Sequence, residues 1–488
     1  MLTRNLEAMG KPVAFLYLRP RIFCSSSFEI KISVQENVMS SFIEKPRFTC
    51  PLGGALATVG ALTRAVPILH ASQGCGGNSN GAIMQGAGHL GSGYCGGASI
   101  PASGIGEQQI VFGGVARLEE QIESTLEVID ADLFVVITGC TAEIIGDDVA
   151  SVIRNYRATE GEDRPPLVHA SGAGFKGNSY FGYDSVLQSL FRDYVTPTPV
   201  KKKGKVNVWG IPPAFDVFWE GNLLELRRVL EGIGLEVNTF FTRKDSLADL
   251  RGSGDAELNI IVSPINGVPA AKVFKEVHGV DNFITDLPIG AKATTAFALE
   301  VADLLKLNKK KVAKFLAAEK DNYYHFFNRL GDSYADLDFQ RYLVIVADTS
   351  YAISLAGFAT HELGWIPKLV AITDPTDEED RPAIIRRFDG KLADPDTAVA
   401  FETDASQIAS RITERWPKSD GSKYYQPFTP AFVIGSRLDR DFADSIGAGH
   451  LSVSYPISNR LVLNRAYAGF HGALSLIEDI ISVVVANR

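Results

Sequence analysis

The 488 residues are predicted to form an α/β protein of three Rossmann-like domains, with parallel sheets flanked by helices. Three observations point there. Runs such as Leu133-Phe134-Val135-Val136-Ile137-Thr138 and Leu343-Val344-Ile345-Val346-Ala347 are almost wholly apolar, which marks strands covered on both faces. Segments with apolar residues three or four positions apart, the mark of amphipathic helices, lie between such runs. The length suits about three domains of roughly 100–200 residues each.

Taken in order, residues 1–38 read as an N-terminal extension outside the natural product. Met39 restarts the chain just before the first motif, and the apolar run 13–18 is short and closed by Arg19-Pro20-Arg21. A first domain is expected over 39–200, with Leu118, Ile122, Leu126 and Ile129 at helical spacing ahead of the strand at 133–138. Pro197 to Gly204, with Lys201, Lys202 and Lys203, reads as a solvated linker. A second domain then covers 201–332. It has a strand at 206–211, a helix burying Leu223, Leu226, Val229, Leu230 and Ile233 and closing at Gly234, and strands at 235–241 and 260–262. A soft boundary near Gly331-Asp332-Ser333 opens a third domain over 333–488, with strands at 343–347, 369–372 and 432–435.

Composition narrows the function. An apolar content of 45% excludes disorder, and a net charge of -9 argues against nucleic acid as the main partner. No uninterrupted apolar stretch of about 18 residues occurs, so no membrane span is expected, and a cytoplasmic location follows. No glycine-rich dinucleotide or Walker-type phosphate loop follows a strand-like run. No paired-histidine spacing involves His325, His361 or His450, which are expected to be structural, and no carboxylate pair suggests acid–base work. Of Asp147 and Asp148, capping of the next helix is the default role.

The five cysteines stand at 24, 50, 75, 95 and 140, with none beyond. That is no disulfide framework, and it suggests a local use, either metal ligation or small buried residues. Cys50 precedes Pro51-Leu52-Gly53-Gly54, a helix start with proline in its first turn. Cys75 follows Ser72-Gln73-Gly74 on a tight turn, and Cys140 follows the strand that ends at Thr138. Positions at helix starts favour thiolate, and the glycines let backbone N–H groups approach a bulky inorganic cluster.

These motifs resemble the β-type subunit of the nitrogenase component 1 family. The resemblance is carried by C-P-L-G-G-A at Cys50, S-Q-G-C at Cys75 and T-G-C-T-A-E-I-I-G-D-D at Cys140. V-F-G-G at Val111 to Gly114, G-F-K-G at Gly174 to Gly177, Y-P-I-S-N-R at Tyr455 to Arg460 and A-G-F-H-G-A at Ala468 to Ala473 extend it from about 45 to about 480. It implies that Cys50, Cys75 and Cys140 hold an [8Fe-7S] P-cluster shared with an α-type subunit of an α2β2 heterotetramer. It implies that this chain carries no substrate-reducing cofactor, and that Phe112 meets an ATP-dependent iron protein. Cys24 and Cys95 are expected to stand aside, and His70 to lie near the cluster or simply to satisfy its turn.

Two departures bear on the substrate. Twelve of the 33 residues from Gly74 to Gly106 are glycine, and Gly174 stands where the dinitrogen-reducing members carry a serine. On these grounds the chain is closest in character to the methylthio-alkane reductases, nitrogenase-like enzymes that cleave C–S bonds. A β subunit of a dinitrogen-reducing nitrogenase and an N-type cofactor-assembly scaffold subunit share the fold and the cysteines, and both stay open.

Overall fold

Runs of β-branched and aromatic residues pair into three sheets, and every ladder in them is parallel. The structure is a computed structural model that describes residues 42–89, 100–159, 164–337, 339–415, 429 and 431–486. The 1–38 extension with Cys24, and the segment carrying Cys95, lie outside them.

The first sheet has the order β1 (Ala65–His70), β2 (Leu133–Thr138), β3 (Leu167–Ser171). All six residues of β2 are buried, as its unbroken apolar run requires of a central strand covered on both faces. The second sheet contains β4 (Lys202–Trp209), β5 (Glu236–Asn238), β6 (Ala256–Ile261) and β7 (Asp281–Ile284), in the order β5-β4-β6-β7. The third contains β8 (Tyr342–Ala347), β9 (Ile366–Ile372), β10 (Ala398–Phe401), β11 (Ala431–Gly435) and β12 (Gly449–Ser452), in the order β10-β9-β8-β11-β12.

The helices that position the candidate site are α1 (Pro51–Gly60), α2 (Cys75–Gly86), α3 (Glu107–Phe112), α4 (Val115–Val128), α5 (Cys140–Ile145), α6 (Val149–Thr159), α7 (Ser179–Asp193) and α8 (Trp219–Gly232). α4 buries Leu118 and Ile122, and α8 buries Leu223, Leu226, Val229 and Leu230, the stripes expected from their spacing. Each such leucine contributes roughly 1.5–3 kcal/mol by leaving water. One apolar core runs from Leu52 to Val484 through all three sheets, with smaller clusters behind the first and third.

Two local expectations change. Lys202 and Lys203 are exposed, as expected, but they belong to β4 and not to a linker. Lys202 opens β4 and pairs with Glu236 at 2.6 Å, while Lys201 Nζ donates to the carbonyls of Thr198, Gly254 and His278 at 2.9, 2.6 and 2.7 Å. A lysine can satisfy carbonyls at strand and helix ends while its stem stays packed. The segment at 331–333 begins a short helix, Gly331–Asp336. Finally, the described residues include one helix, Gly469–Ala486, that is long and apolar enough to cross a membrane, with a mean hydropathy of 1.5. It packs against α8 and the helices Gly290–Leu304 and Lys309–Phe327. Its Phe470, Leu476 and Ile480 are fully buried, and its Asp479 pairs with Arg460 and Arg465, so a core face accounts for its hydropathy.

Candidate metal centre

Each of the three cysteines begins a helix. Cys50 is the N-cap of α1, in extended backbone, and Pro51 occupies the first turn. The segment ahead of it is pinned by Arg47, whose buried guanidinium bonds Asp439 at 2.6 and 2.7 Å and Ser436 Oγ at 2.7 Å, beyond the end of β11. The glycines after Cys50 serve packing. A Cβ on Gly54 would fall 1.7 Å from the Ser179 carbonyl oxygen, and one on Gly182 would fall 1.9 Å from that of Pro51. α1 and α7 therefore touch backbone to backbone, which only glycine permits.

Cys75 opens α2 after Gly74, which sits in left-handed backbone at φ 89°. The far end of α2 is held by the C-terminal Y-P-I-S-N-R segment. Tyr455 Oη donates to the Ala82 carbonyl at 3.0 Å, and the Ile457 N–H to the Gly86 carbonyl at 2.6 Å. Cys140 opens α5 directly after β2. Its predecessor Gly139 bonds the His70 carbonyl at the end of β1, where a Cβ would meet that of Ala71 at 2.7 Å.

The helix starts bearing Cys50 and Cys140 meet at Gly174. Its N–H donates to Cys140 Sγ at 3.0 Å, and a Cβ there would lie 3.2 Å from that sulfur and 3.8 Å from Cys50 Cβ. Cys50 and Cys140 are exposed and Cys75 is half-buried. Burial pushes the Cys75 thiol up, and the neighbouring charges of Cys50 and Cys140 push it further the same way. The helix-start expectation of an eased thiolate thus fails at Cys75, because desolvation and like charges outweigh the helix terminus. A Cys75 thiolate held between two further thiols suits a cationic occupant, since a metal deprotonates a coordinating thiol outright. Among the described residues no three His, Cys, Asp or Glu side chains are grouped as they would be around a single metal ion.

Phe112 ends α3 and is 82% exposed, beside Val111 at 71%; Ile144 on α5 is 73% exposed. Phe112 is therefore not core. Behind it, Gly113 takes φ 92° and the Gly114 N–H donates to Asp147 Oδ1 at 2.8 Å. Asp147 thus holds this loop, and it is Asp148 that caps α6, accepting the Ser151 N–H at 2.9 Å. His70 is fully buried, and burial pushes its pKa down despite Asp147 beside it, so it is a satisfied, neutral imidazole between Asp147 and Ser103. His450 bonds the Ser436 carbonyl and His325 approaches Arg329, consistent with structural roles.

Sequence reasoning missed Glu143 and Lys176, which bridge α5 and the turn at Gly174 at 2.6 Å. The signal available was the lysine of Gly174-Phe175-Lys176-Gly177, a lone charge in a turn of glycines and an aromatic residue.

Comparison with known proteins agrees in extent. The model of the family described as nitrogenase component 1 type oxidoreductase matches residues 50–485. The nitrogenase vanadium-iron protein beta chain of Trichormus variabilis is 26% identical over 402 residues, 76% of this chain and 81% of the relative. The molybdenum-iron protein beta chain of Methanococcus maripaludis is 23% identical over 90% of this chain and 94% of its own length. The iron-iron protein beta chain of Rhodobacter capsulatus is also 23% identical, over 91% and 94%. Among solved structures, nitrogenase Cp1 at pH 6.5 superposes with a TM-score of 0.75 at 18% identity, covering 94% of this chain and 96% of that one, which establishes the shared fold.

Proposed function

This chain belongs to the nitrogenase component 1 type oxidoreductase family, and we propose that it is the β-type subunit of a nitrogenase-like α2β2 reductase, holding an iron–sulfur P-cluster jointly with an α-type subunit. The observation that supports this reading is that Cys50 and Cys140 flank Gly174 while Cys75 lies close enough to feel the charge of both, with two of the three thiols at the surface. A half-built sulfur site at a surface needs a second surface to close it. When bound, the cluster would relay electrons from an ATP-dependent iron protein to the α subunit's cofactor.

The chain's own residues have separable tasks. Cys50, Cys75 and Cys140 supply sulfur ligands, and Gly174 donates an N–H to one of them. Phe112 presents an exposed apolar contact for the iron protein, on a loop that Asp147 holds. The division into 39–200, 201–332 and 333–488 belongs to the same proposal, and one parallel sheet in each segment supports it.

For the substrate we propose reductive C–S bond cleavage, as in methylthio-alkane reductases. The support is Gly174, which offers no side-chain oxygen beside Cys140 and Cys50, together with the glycine-rich stretch from Gly74 to Gly106. Relatives named for vanadium, molybdenum and iron match at 23–26% identity, so likeness to beta chains does not separate these classes.

The test is iron per αβ pair and the EPR spectrum of the anaerobically purified complex, followed by assays for thiol released from a methylthio-alkane and for ammonia formed from dinitrogen. Iron with thiol release is the expected result. Iron-free complex would overturn the cluster reading, and ammonia without thiol would overturn the substrate.

A further inference from the structure

Glu143 lies one helical turn after Cys140 on α5 and gathers three donors. Thr138 Oγ1 reaches it at 2.7 Å, Lys176 Nζ at 2.6 Å, and Ser171 Oγ completes the set. Lys176 Nζ also donates to Ser171 Oγ at 3.0 Å. Lys176 closes the short 3-10 turn Gly174–Lys176, whose first residue donates its N–H to Cys140 Sγ. The same two elements are therefore joined twice, once by an ion pair and once by an N–H···S bond.

The turn needs such an anchor. Gly172, Gly174 and Gly177 surround it with backbone freedom, and Gly177 takes φ 154°. Phe175 in its middle is 61% exposed and contributes little packing. Although burial pushes the Glu143 carboxyl up, bonds from Lys176, Ser171 and Thr138 outweigh it and hold the group below the usual range, so Glu143 meets Lys176 as a carboxylate.

We infer that Glu143 and Lys176 are positioning residues: their ion pair clamps the Gly174 turn so that its N–H stays on the Cys140 sulfur, and this contact tunes the potential of the bound cluster. The inference rests on the cluster reading above. An N–H donated to a ligating sulfur stabilises the more electron-rich, reduced cluster and so raises its potential. Loosening the clamp lowers it, whichever partner is removed.

That sign separates positioning from plain charge. Lys176→Met removes a positive charge and Glu143→Gln a negative one, so a pure field effect moves the potential in opposite directions. Under the clamp both variants lower the midpoint potential, followed by EPR in anaerobic α2β2 complex, at unchanged iron content. Both also speed amide hydrogen exchange in residues 173–177, and Lys176→Arg retains wild-type behaviour on both measurements. Opposite shifts with unchanged exchange overturn the inference, as does no change in either variant. Iron-free wild-type complex would overturn the cluster reading itself, while exchange at 173–177, which needs no metal, still decides the clamp.

Discussion

Asp147 Oδ2 lies 2.9 Å from His70 Nε2, with both side chains buried, while its other oxygen accepts the Gly114 N–H. The end of β1, which leads into the Cys75 turn, is thereby tied to the loop that presents Phe112. Phe112→Ala should slow electron delivery from the iron protein, by about 2 kcal/mol or more if the ring is an interface hot spot. Asp147→Ala should do the same by freeing the loop, and should also cost roughly 1–3 kcal/mol of stability for the donor left unsatisfied. Both variants should keep their iron and regain turnover with a chemical reductant. A defect that persists with that reductant would place the fault in the cluster instead.

Alanine at Cys50, Cys75 or Cys140 should each lower the iron bound per αβ pair and weaken αβ association, because cluster and interface complete one another. Alanine at Cys24 or Cys95 should leave both unchanged. Iron analysis and analytical ultracentrifugation under anaerobic conditions read the two effects. Full iron in all three variants would refute the ligand set.

Gly174→Ser places a hydroxyl where a Cβ stands 3.2 Å from Cys140 Sγ. Oxygen is a harder donor than sulfur and favours the more oxidised iron. The variant should acquire an oxygen-ligated oxidised cluster, seen as a lowered midpoint potential and an iron–oxygen bond in the oxidised crystal, a form absent from the parent. A side-chain oxygen on iron here in the oxidised parent would contradict this and favour a dinitrogen-type enzyme.

Gly54→Ala should be among the most destabilising single changes in the chain. Its methyl group would sit 1.7 Å from the Ser179 carbonyl oxygen, so α1 must move off α7 and carry Cys50 with it. Overpacking commonly costs about 1–3 kcal/mol, and a clash with backbone stands at the upper end. Gly60→Ala, with nothing within 4 Å, is the control. Thermal denaturation of both variants compares them.

Stability should fall as pH rises from about 4 towards neutrality. Burial, and next the nearby Asp348, push the Asp374 carboxyl up to about 7; its Oδ2 accepts the Thr349 N–H, while Oδ1 has no hydrogen-bond partner among the described residues. An acid whose folded pKa is raised binds more protons folded than unfolded, so stability is lost between the unfolded value near 4 and about 7. Asp374→Asn keeps an acceptor for Thr349 and removes the titration, so its melting temperature should vary less between pH 5 and 8. An unchanged slope would show that the group does not titrate there.

Much of this protein was legible in the chain itself. The all-apolar run of β2 admits burial on both faces and little else, and the α4 and α8 stripes could be read from their spacing. Cys50 before Pro51, and Cys75 and Cys140 each after a glycine, announced helix starts, because caps and first turns depend on neighbours along the chain. Tertiary structure alone decided the rest. It brought the helix starts bearing Cys50 and Cys140 to either side of Gly174 and set Gly54 against Ser179. It aimed Lys201 at the carbonyls of Gly254 and His278, turned Asp147 to His70 instead of a helix cap, and joined Lys176 to Glu143. Local conformation follows from a few adjacent residues, whereas these contacts depend on sheet register and on how closely helices pack, which no short-range pattern encodes.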